Sequence, residues 1–289
     1  MKGDFIKSCF RSYSAGSSRV DEYSWKENYY TTNIYSDYFK QFDNGHYFKV
    51  MAGFNAELYK NRSIEAIKNN LISHDVPTID TATDDPQAYG GYNHTSVAGF
   101  FARINWSYKD RYMFEANGRY DGSSRFVGDE RWGFFPAAGL AWVISNEKFW
   151  RPMNKVIPKL KLKATYGLVG NDAIGDENDR FFYLSEVDPN DSGKGYWFGT
   201  NFDEGKPGVT VKRYDNRLIT WERAKKANYG LELTLFDALN IQLDYFTEHR
   251  TNILMDRASI PADMGLAAKV RANVGEAKAN GVDLSVDYN

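Results

Sequence analysis

Apolar and polar side chains alternate along the chain from Val97 to Ile144, over segments that are long for β-strands. Along Val97–Tyr108 the even-numbered residues are almost all apolar, and from Tyr112 onward the apolar residues again take alternate positions. Because successive side chains of a strand point to opposite faces, the pattern predicts strands with one apolar and one polar face. A third strand, Arg131–Ile144, is predicted after a polar loop that begins at Gly122.

A sheet of this kind fits two classes of protein that orient it in opposite ways. In a soluble β-sandwich the apolar face is buried in the core. In a transmembrane β-barrel the apolar face meets lipid, and the polar face lines a watery lumen. The alternation is the same in both classes, so strand lengths, connections and aromatic positions must decide between them.

The alternation continues on both sides of this region and predicts about nine or ten strands in all. The other strands are predicted at 3–13, Asn28–Phe42, His46–Lys60, Lys159–Val169, Trp221–Phe236, Leu239–Arg250 and around Val282–Tyr288. The strand His46–Lys60 is longer and more regular than an average globular strand. It follows Asn44-Gly45, which is a strong signal for a β-hairpin.

Short and long connections alternate between these predicted strands. The short set is 43–45, 109–111 and 237–238, the long set is 61–96, 170–220 and 251–273, and 122–130 and 145–158 are intermediate. A short helix is predicted in 61–96 around Ile64, Ile67 and Leu71, and a helical turn at Glu147–Arg151. Alternate connections of antiparallel strands lie at opposite ends of a sheet, so tight turns are expected at one end and long loops at the other. Outer-membrane barrels have this asymmetry, with short periplasmic turns and long extracellular loops.

The aromatic residues are predicted to form two belts, as at the two interfaces of a membrane barrel. Those near the short turns are Tyr47, Phe48, Trp106, Tyr108, Tyr112 and Trp142, and those near the long loops are Tyr59, Trp132, Phe134, Phe135 and Trp221. A general preference of aromatic residues for strands is the alternative explanation. The belts and the connections together favour the barrel over the sandwich.

Composition narrows the classes of function. The chain has a mean hydropathy of −0.58 and no apolar run long enough for a transmembrane helix, but membrane strands need none because half of each is polar. The formal net charge of −2 gives no reason to expect nucleic-acid binding. Cys9 is the only cysteine and the four histidines are scattered, so neither a disulfide nor a metal site is predicted.

Catalytic and cofactor motifs are absent from the sequence, and the prediction is a protein that is not an enzyme and has no cofactor. The acidic residues are scattered over different strands and loops, without the carboxylate pair of a glycoside hydrolase. Asp172, Asp176, Glu177 and Asp179 lie close together but lack the calcium-loop pattern and its closing glutamate. A solvated loop is the preferred interpretation of that cluster.

Five segments resemble the SusC/RagA family of TonB-linked outer-membrane transporters, in the family's order and spacing along nearly the whole chain. They are NNLISHDVPTIDTAT (Asn69–Thr83), YKDRYMFEANGRYDGSSRFVGDERWGFFPAAGLAWVISNEKFW (Tyr108–Trp150), LKLKATYGLVGN (Leu160–Asn171), ITWERAKKANYGLEL (Ile219–Leu233) and NVGEAKANGVDLSVDY (Asn273–Tyr288). The resemblance implies a large even-stranded barrel with an internal plug. It also implies import of oligosaccharides or peptides, powered through TonB–ExbB–ExbD, and a SusD-like surface lipoprotein as a lid.

On this interpretation residues 1–289 form the middle part of a barrel domain. No signal peptide, plug or TonB-box segment is seen before the first strands, and the chain stops within a strand, so more barrel strands are expected to follow. The expected location is the outer membrane. A soluble carbohydrate-binding β-sandwich and a passive porin are the alternative functions.

The candidate functional residues lie on the polar face, where they would contact the plug or a passing substrate. They are Lys49, Asn55, Glu57, Arg103, Asn105, Glu115, Asn117, Arg119 and Asp121. A solvated, mutually paired wall is the other interpretation of the same residues. Tyr196, Trp197 and Phe198 lie in the longest predicted loop, where they would stack on sugar rings, meet a lid protein or pack within the loop.

Overall fold

The computed structural model describes residues 4–12, 18–73, 75–174, 181–257, 260–266 and 268–288, with the backbone alone for 4–12. Twelve strands lie in these described ranges. They are β1 (Asp4–Ser12), β2 (Arg19–Gln41), β3 (His46–Asn69), β4 (Gln87–Tyr108), β5 (Tyr112–Ser123), β6 (Trp132–Val143), β7 (Lys159–Asn171), β8 (Glu186–Phe198), β9 (Glu204–Arg213), β10 (Glu222–Leu235), β11 (Leu239–Asp256) and β12 (Arg271–Tyr288). Short 3-10 helices lie at Ile79–Thr81, Gly128–Arg131, Ile144–Asn146, Lys148–Met153 and Ala262–Met264.

Ten of the described strands form one sheet, in the order β1-β2-β3-β4-β5-β6-β7-β10-β11-β12. Each strand pairs with its neighbour in sequence, except that β7 pairs with β10. The two strands left out, β8 and β9, pair only with each other and form a hairpin arm between β7 and β10. This up-and-down order confirms the predicted all-β, antiparallel fold.

The chain divides into two compact units. The first consists of Met1–Asn33 with Asn55–Ala98, and the second of Ile34–Phe54 with Gly99–Asn289. In the first unit the connection between β3 and β4 is held by a bridge from Leu71 to Ala82 and by a hydrogen bond from the Leu71 amide to the Ser18 carbonyl, 3.2 Å long. The second unit contains all of β5 to β12.

Two tight turns in the second unit use residues with positive φ. Lys109 and Asp110 have φ of 50° and 52°, and Phe236 and Asp237 have φ of 54° and 55°. Two consecutive left-handed residues define the type I′ turn, whose twist matches that of the strands it joins. The second turn was predicted at Asp237-Ala238 and lies one residue earlier, so the bulky Phe236 occupies a backbone region that such residues seldom adopt.

The long connections are shorter than predicted, because the strands extend further. β3 runs nine residues beyond Lys60 and β4 begins ten residues before Val97, so the predicted connection 61–96 is reduced to 70–86. The helix predicted around Ile64 and Ile67 is wrong, since both residues belong to β3. One of them is 56% exposed and the other 8%, as expected for strand residues of opposite parity.

The predicted loops 170–220 and 251–273 are likewise partly strand. The first carries the arm β8–β9, and the second is shortened to 257–270 by β11 and β12. The short turns at 43–45 and 109–111 are confirmed, and so is the compact linker 145–158 with its helical turn.

A buried hydrophobic cluster lies among the loops of the second unit. It consists of Phe126, Phe135, Ile174, Phe182, Ile219 and Trp221. Phe135 and Trp221 were predicted to stand in the outer aromatic belt, but only 7% and 4% of their surface is exposed. They pack together at 5.2 Å between ring centroids, so their role is to join β6 to the segment before β10. Among the described helices, none has the length and apolar character needed to cross a bilayer.

Candidate functional site

The polar face of β7, β10 and β11 carries a network of opposite charges. Lys161 and Lys163 of β7 lie 3.3 Å and 3.8 Å from the Glu232 carboxylate, and Lys159 lies 3.0 Å from it. Lys163 also lies 3.0 Å from Asp244, which is only 7% exposed. Each of these charges thus lies within 4 Å of an opposite charge, so this part of the wall carries no isolated charge among the residues named.

Glycine makes room for this network. A side chain at Gly230 would begin 2.0 Å from the Lys163 side chain and 2.4 Å from the Asp244 carboxylate. Gly99 repeats the arrangement, since a Cβ there would lie 1.8 Å from the Asp121 carboxylate. In both places a missing side chain lets a carboxylate lie over the neighbouring strand.

The predicted residues of β4 and β5 lie together on the same polar face. Arg103 lies 3.6 Å from Glu115, and the Asn105 and Asn117 amides donate to the Glu115 carboxylate at 2.6 Å and 3.1 Å. Arg119 donates two hydrogen bonds of 2.9 Å to Asp121. Every predicted residue on this pair of strands therefore contacts at least one other.

The three remaining predicted residues lie on β3 and find partners on β2. In the second unit Lys49 lies 3.2 Å from Asp37. In the first unit the Asn55 amide donates to Asn33 at 2.6 Å, and Glu57 accepts a hydrogen bond from Tyr29. These contacts fit the interpretation of a mutually paired wall. Such a wall also presents polar groups that a plug or a substrate would contact.

The opposite face is apolar and uncovered. Its residues pair in rows across β7, β10, β11 and β12, namely Leu160–Leu233–Ile241–Val286, Leu162–Leu231–Leu243–Leu284 and Ala164–Tyr229–Tyr245–Val282. Leu284 is 64% exposed, Leu162 42% and Leu243 40%. A soluble sandwich would bury these residues, whereas a membrane barrel presents them to lipid. The sandwich alternative is therefore wrong.

Stacked aromatic pairs mark both ends of this apolar face on β5 and β6. Tyr112 stacks on Trp142 beside the short turn, with 6.4 Å between ring centroids, and Tyr120 stacks on Trp132 at 5.0 Å near the loops. These four residues occupy the ends predicted for two interface belts.

The hairpin arm carries the predicted loop aromatics. Tyr196 and Phe198 contact edge to face at 5.5 Å, while Trp197 lies against Gly205 and is 59% exposed. Lys212 lies 3.0 Å from Asp188, whose pKa is held below its usual value by a hydrogen bond from the Asn190 amide and by Lys212. Ion pairing thus fastens the base of the arm, and its aromatic end is left open to solvent.

Some polar-face residues were absent from the predicted site although the alternation places them there. Glu232, Asp244 and the three lysines of β7 are at the centre of the network described above. The signal that finds them is the same parity rule, combined with the register that brings β7 beside β10. Of the acidic loop cluster, Asp172 accepts a hydrogen bond from Ser123 at 2.7 Å, and the other three residues lie outside the described part. Within that part, no three potential metal ligands come together.

The chain resembles known proteins in sequence. The chain matches the family described as TonB dependent receptor-like, beta-barrel, over residues 5–289. It is 30% identical to the TonB-dependent receptor P39 of Formosa agariphila over 262 residues, covering 86% of this chain and 23% of that protein. It is 29% identical to the TonB-dependent receptor SusC of Bacteroides thetaiotaomicron over 282 residues, covering 96% of this chain and 26% of that protein.

A solved structure shares the fold over most of the chain. The structure of the RagAB peptide transporter aligns with a TM-score of 0.78 and 22% identity, over 93% of this chain and 28% of that one. The chain thus spans about a quarter of the length of the relatives it matches. The match over residues 5–289, the uncovered apolar face and the paired polar face lead to one conclusion: the chain belongs to the TonB dependent receptor-like β-barrel family and forms part of the wall of an outer-membrane barrel.

Proposed function

We propose that the intact protein imports an oligosaccharide or a peptide across the outer membrane, using energy delivered by TonB–ExbB–ExbD. Two relatives support this function, since one is named TonB-dependent receptor SusC and the other is described as a peptide transporter. Because this chain matches about a quarter of SusC, we assign the plug, the TonB box and further barrel strands to the rest of the intact protein. A SusD-like surface lipoprotein is the proposed partner on the outer face.

The observation that carries the proposal is the paired polar face. Charged and amide side chains follow it along β4, β5, β7, β10 and β11, and nearly all of them contact one another. A wall whose charges are paired with one another stays hydrated and binds a passing solute only weakly. Weak binding suits a transport path, because the solute must leave it as well as enter it. We assign the residues from Lys49 to Asp121 that were predicted from the sequence to this lumen wall.

The hairpin arm favours the oligosaccharide among the two substrate classes. Tyr196, Trp197, Phe198 and Phe202 are between 52% and 67% exposed. A flat aromatic side chain offers an apolar surface of the size of a sugar ring together with a polar edge. A peptide with apolar side chains is the competing substrate for the same surface.

Uptake assays with the full-length protein test both parts of the proposal. Cells that express it are given labelled neutral oligosaccharides or labelled oligopeptides of similar mass. We expect uptake of the oligosaccharides, with loss of uptake when tonB is deleted. Uptake that persists without TonB would instead identify a passive porin, and uptake of peptides alone would assign the arm to the other substrate class.

The same assay tests the arm directly. Trp197→Ala should raise the KM for oligosaccharide uptake about tenfold, on the scale of one aromatic contact. Val209→Ala is the matched control, because Val209 also lies on the arm and is 66% exposed. Equal KM values for the two variants would remove Trp197 from substrate recognition.

A further inference from the structure

The apolar rows end in a basic row. Above the tyrosines of β10 and β11 comes the row Tyr166–Ala227–Thr247–Asn280. The next row is Leu168–Lys225–His249–Lys278, which is basic on β10, β11 and β12. No register shift interrupts β10 and β11 between Leu235 and Lys225, so this row points to the same side as the leucines. The outward face thus changes from apolar to aromatic, then to neutral polar and finally to basic.

The height of this row follows from strand geometry. Lys225 is ten positions from Leu235 at the tight turn, and Lys278 is ten positions from Tyr288, which pairs with Leu239 beside that turn. Ten residues at about 3.3 Å each, tilted by roughly 35–45°, rise about 23–27 Å. The apolar band of a membrane barrel is about 25 Å tall. The basic row therefore lies at the headgroup level of the outer leaflet.

The charges of this row are incompletely neutralised. Glu276 pairs with His249 and lies 3.5 Å from Lys278, whose side chain is 72% exposed. Among the described residues no acidic group pairs with Lys225, which is also exposed. A groove of about 410 Å³ joins these residues to Tyr166, Thr247 and Asn280. Glu248 also borders the groove, and its charge is paired with Lys226 and Arg250. The groove thus has an apolar and hydroxyl floor and a positively charged upper edge.

The basic row is local to one part of the wall. On β6, Trp132 is ten positions from Trp142 at its short turn, and the outward side chains at that height are the stacked Tyr120 and Trp132. An interface belt is therefore aromatic over β5–β6 and cationic over β10–β12. An aromatic belt around the whole barrel would anchor it in any lipid. A cluster of cations at one place in the belt favours lipids with anionic headgroups there.

We propose that the groove above β10–β12 binds a phosphate-bearing lipid of the outer leaflet. Lys225 and Lys278 contact the phosphate, Thr247 and Asn280 hydrogen-bond the headgroup below it, and the acyl chains run down the leucine rows. Glu276 opposes binding by drawing Lys278 away from the phosphate. The fixed position of the row at the headgroup level distinguishes this occupant from a free anion.

Lipid binding by the purified full-length protein in detergent tests the proposal. The probe is lipid A that carries phosphate, compared with the same lipid A after its phosphate has been removed, and retention is read by native mass spectrometry. We expect retention of the phosphorylated form only. The double variant Lys225→Gln/Lys278→Gln should bind it about 25-fold more weakly, at about fivefold per lysine near a charged surface. Glu276→Gln should bind it more tightly than the unmodified protein.

The matched control removes the same charge elsewhere. Lys226 is the neighbour of Lys225 on the polar face and pairs with Glu248, and Lys269 lies in the loop after β11. The double variant Lys226→Gln/Lys269→Gln should retain the lipid like the unmodified protein. Equal losses in the two double variants, retention of dephosphorylated lipid A, or displacement by inorganic phosphate at the concentration of the lipid would each overturn the proposal.

Discussion

At the scale of single residues, Glu147 shows how the linker between β6 and β7 is fastened. The residue is 9% exposed, and its carboxylate accepts hydrogen bonds from the Tyr112 hydroxyl at 2.6 Å and from the Trp142 ring nitrogen at 3.3 Å. Arg111 lies 3.3 Å away. The hydrogen bond from Tyr112 is the main cause that lowers the pKa of Glu147 below its ordinary value.

Because the pKa of Glu147 is lowered in the folded protein, the linker should lose stability at acidic pH. The carboxylate stabilises the folded linker above the ordinary glutamate pKa of about 4.3, and this stabilisation is lost as pH falls through the lower folded value. Amides of 144–158 in the full-length protein should therefore exchange hydrogen faster below about pH 4, after correction for the intrinsic rate. Glu147→Gln should raise exchange at neutral pH and remove the acid-induced increase. Tyr112→Phe should do so to a smaller extent, and an unchanged acid response in Glu147→Gln would contradict this origin.

At the scale of strands and turns, the alternation predicts the faces well and the ends poorly. The outward rows from Leu160 to Tyr245 and the inward partners of Glu115 all obey the parity read from the sequence. The ends of the strands are predicted wrongly because β3 and β4 continue well beyond the stretches of clear alternation. The sequence of those extensions resembles that of a polar loop.

The arm β8–β9 and the glycine spaces show a second limit of the sequence. The arm has Pro189 and Pro207, three register irregularities and almost no buried face, so it lacks the pattern that identifies a strand. The contacts of Gly230 with Lys163 and Asp244 depend on register across three strands. Register is set by the pairing of strands in the folded protein, so it cannot be predicted from the residue pattern of a single strand.

Neighbouring residues on one strand test the two faces. Ile104 is 43% exposed on the apolar face, while Arg103 lies beside Glu115 on the other. Ile104→Arg should impair assembly of the full-length barrel, because an arginine at a lipid-facing midplane position costs about 2–4 kcal/mol. Leu243→Arg should behave in the same way, and Arg103→Ala should leave the amount of folded barrel unchanged.

Cysteine labelling separates lipid exposure from ordinary destabilisation. In a Cys9→Ser background, Ile104→Cys should react in membranes with a lipid-soluble maleimide, and Arg103→Cys should react preferentially with a water-soluble one. Rapid reaction of position 104 with the water-soluble reagent, together with an inert position 103, would show that the faces are assigned the wrong way round.

At the scale of the whole molecule, orientation follows from the connections. In the second unit the connection between β11 and β12 and the arm β8–β9 lie at one end of the strands, and the turns at 109–111 and 236–238 lie at the other. Outer-membrane barrels place the long connections outside the cell. Lys194 on the arm and Lys269 in the last loop are both exposed and provide sites for trypsin.

Trypsin added to intact cells that express the full-length protein should therefore cut only at the long connections. The arm should be cut first, since its aromatic end is open and its two strands pair with none of the ten strands of the sheet. Lys109 and Arg111 in the short turn should be protected until the outer membrane is permeabilised, although Lys109 is exposed there. Fragments are identified by mass spectrometry, and a cytoplasmic marker protein that remains uncut shows that the cells are intact. Cleavage at Lys109 or Arg111 in intact cells, with the arm protected, would invert the orientation and place the basic row of β10–β12 on the periplasmic side.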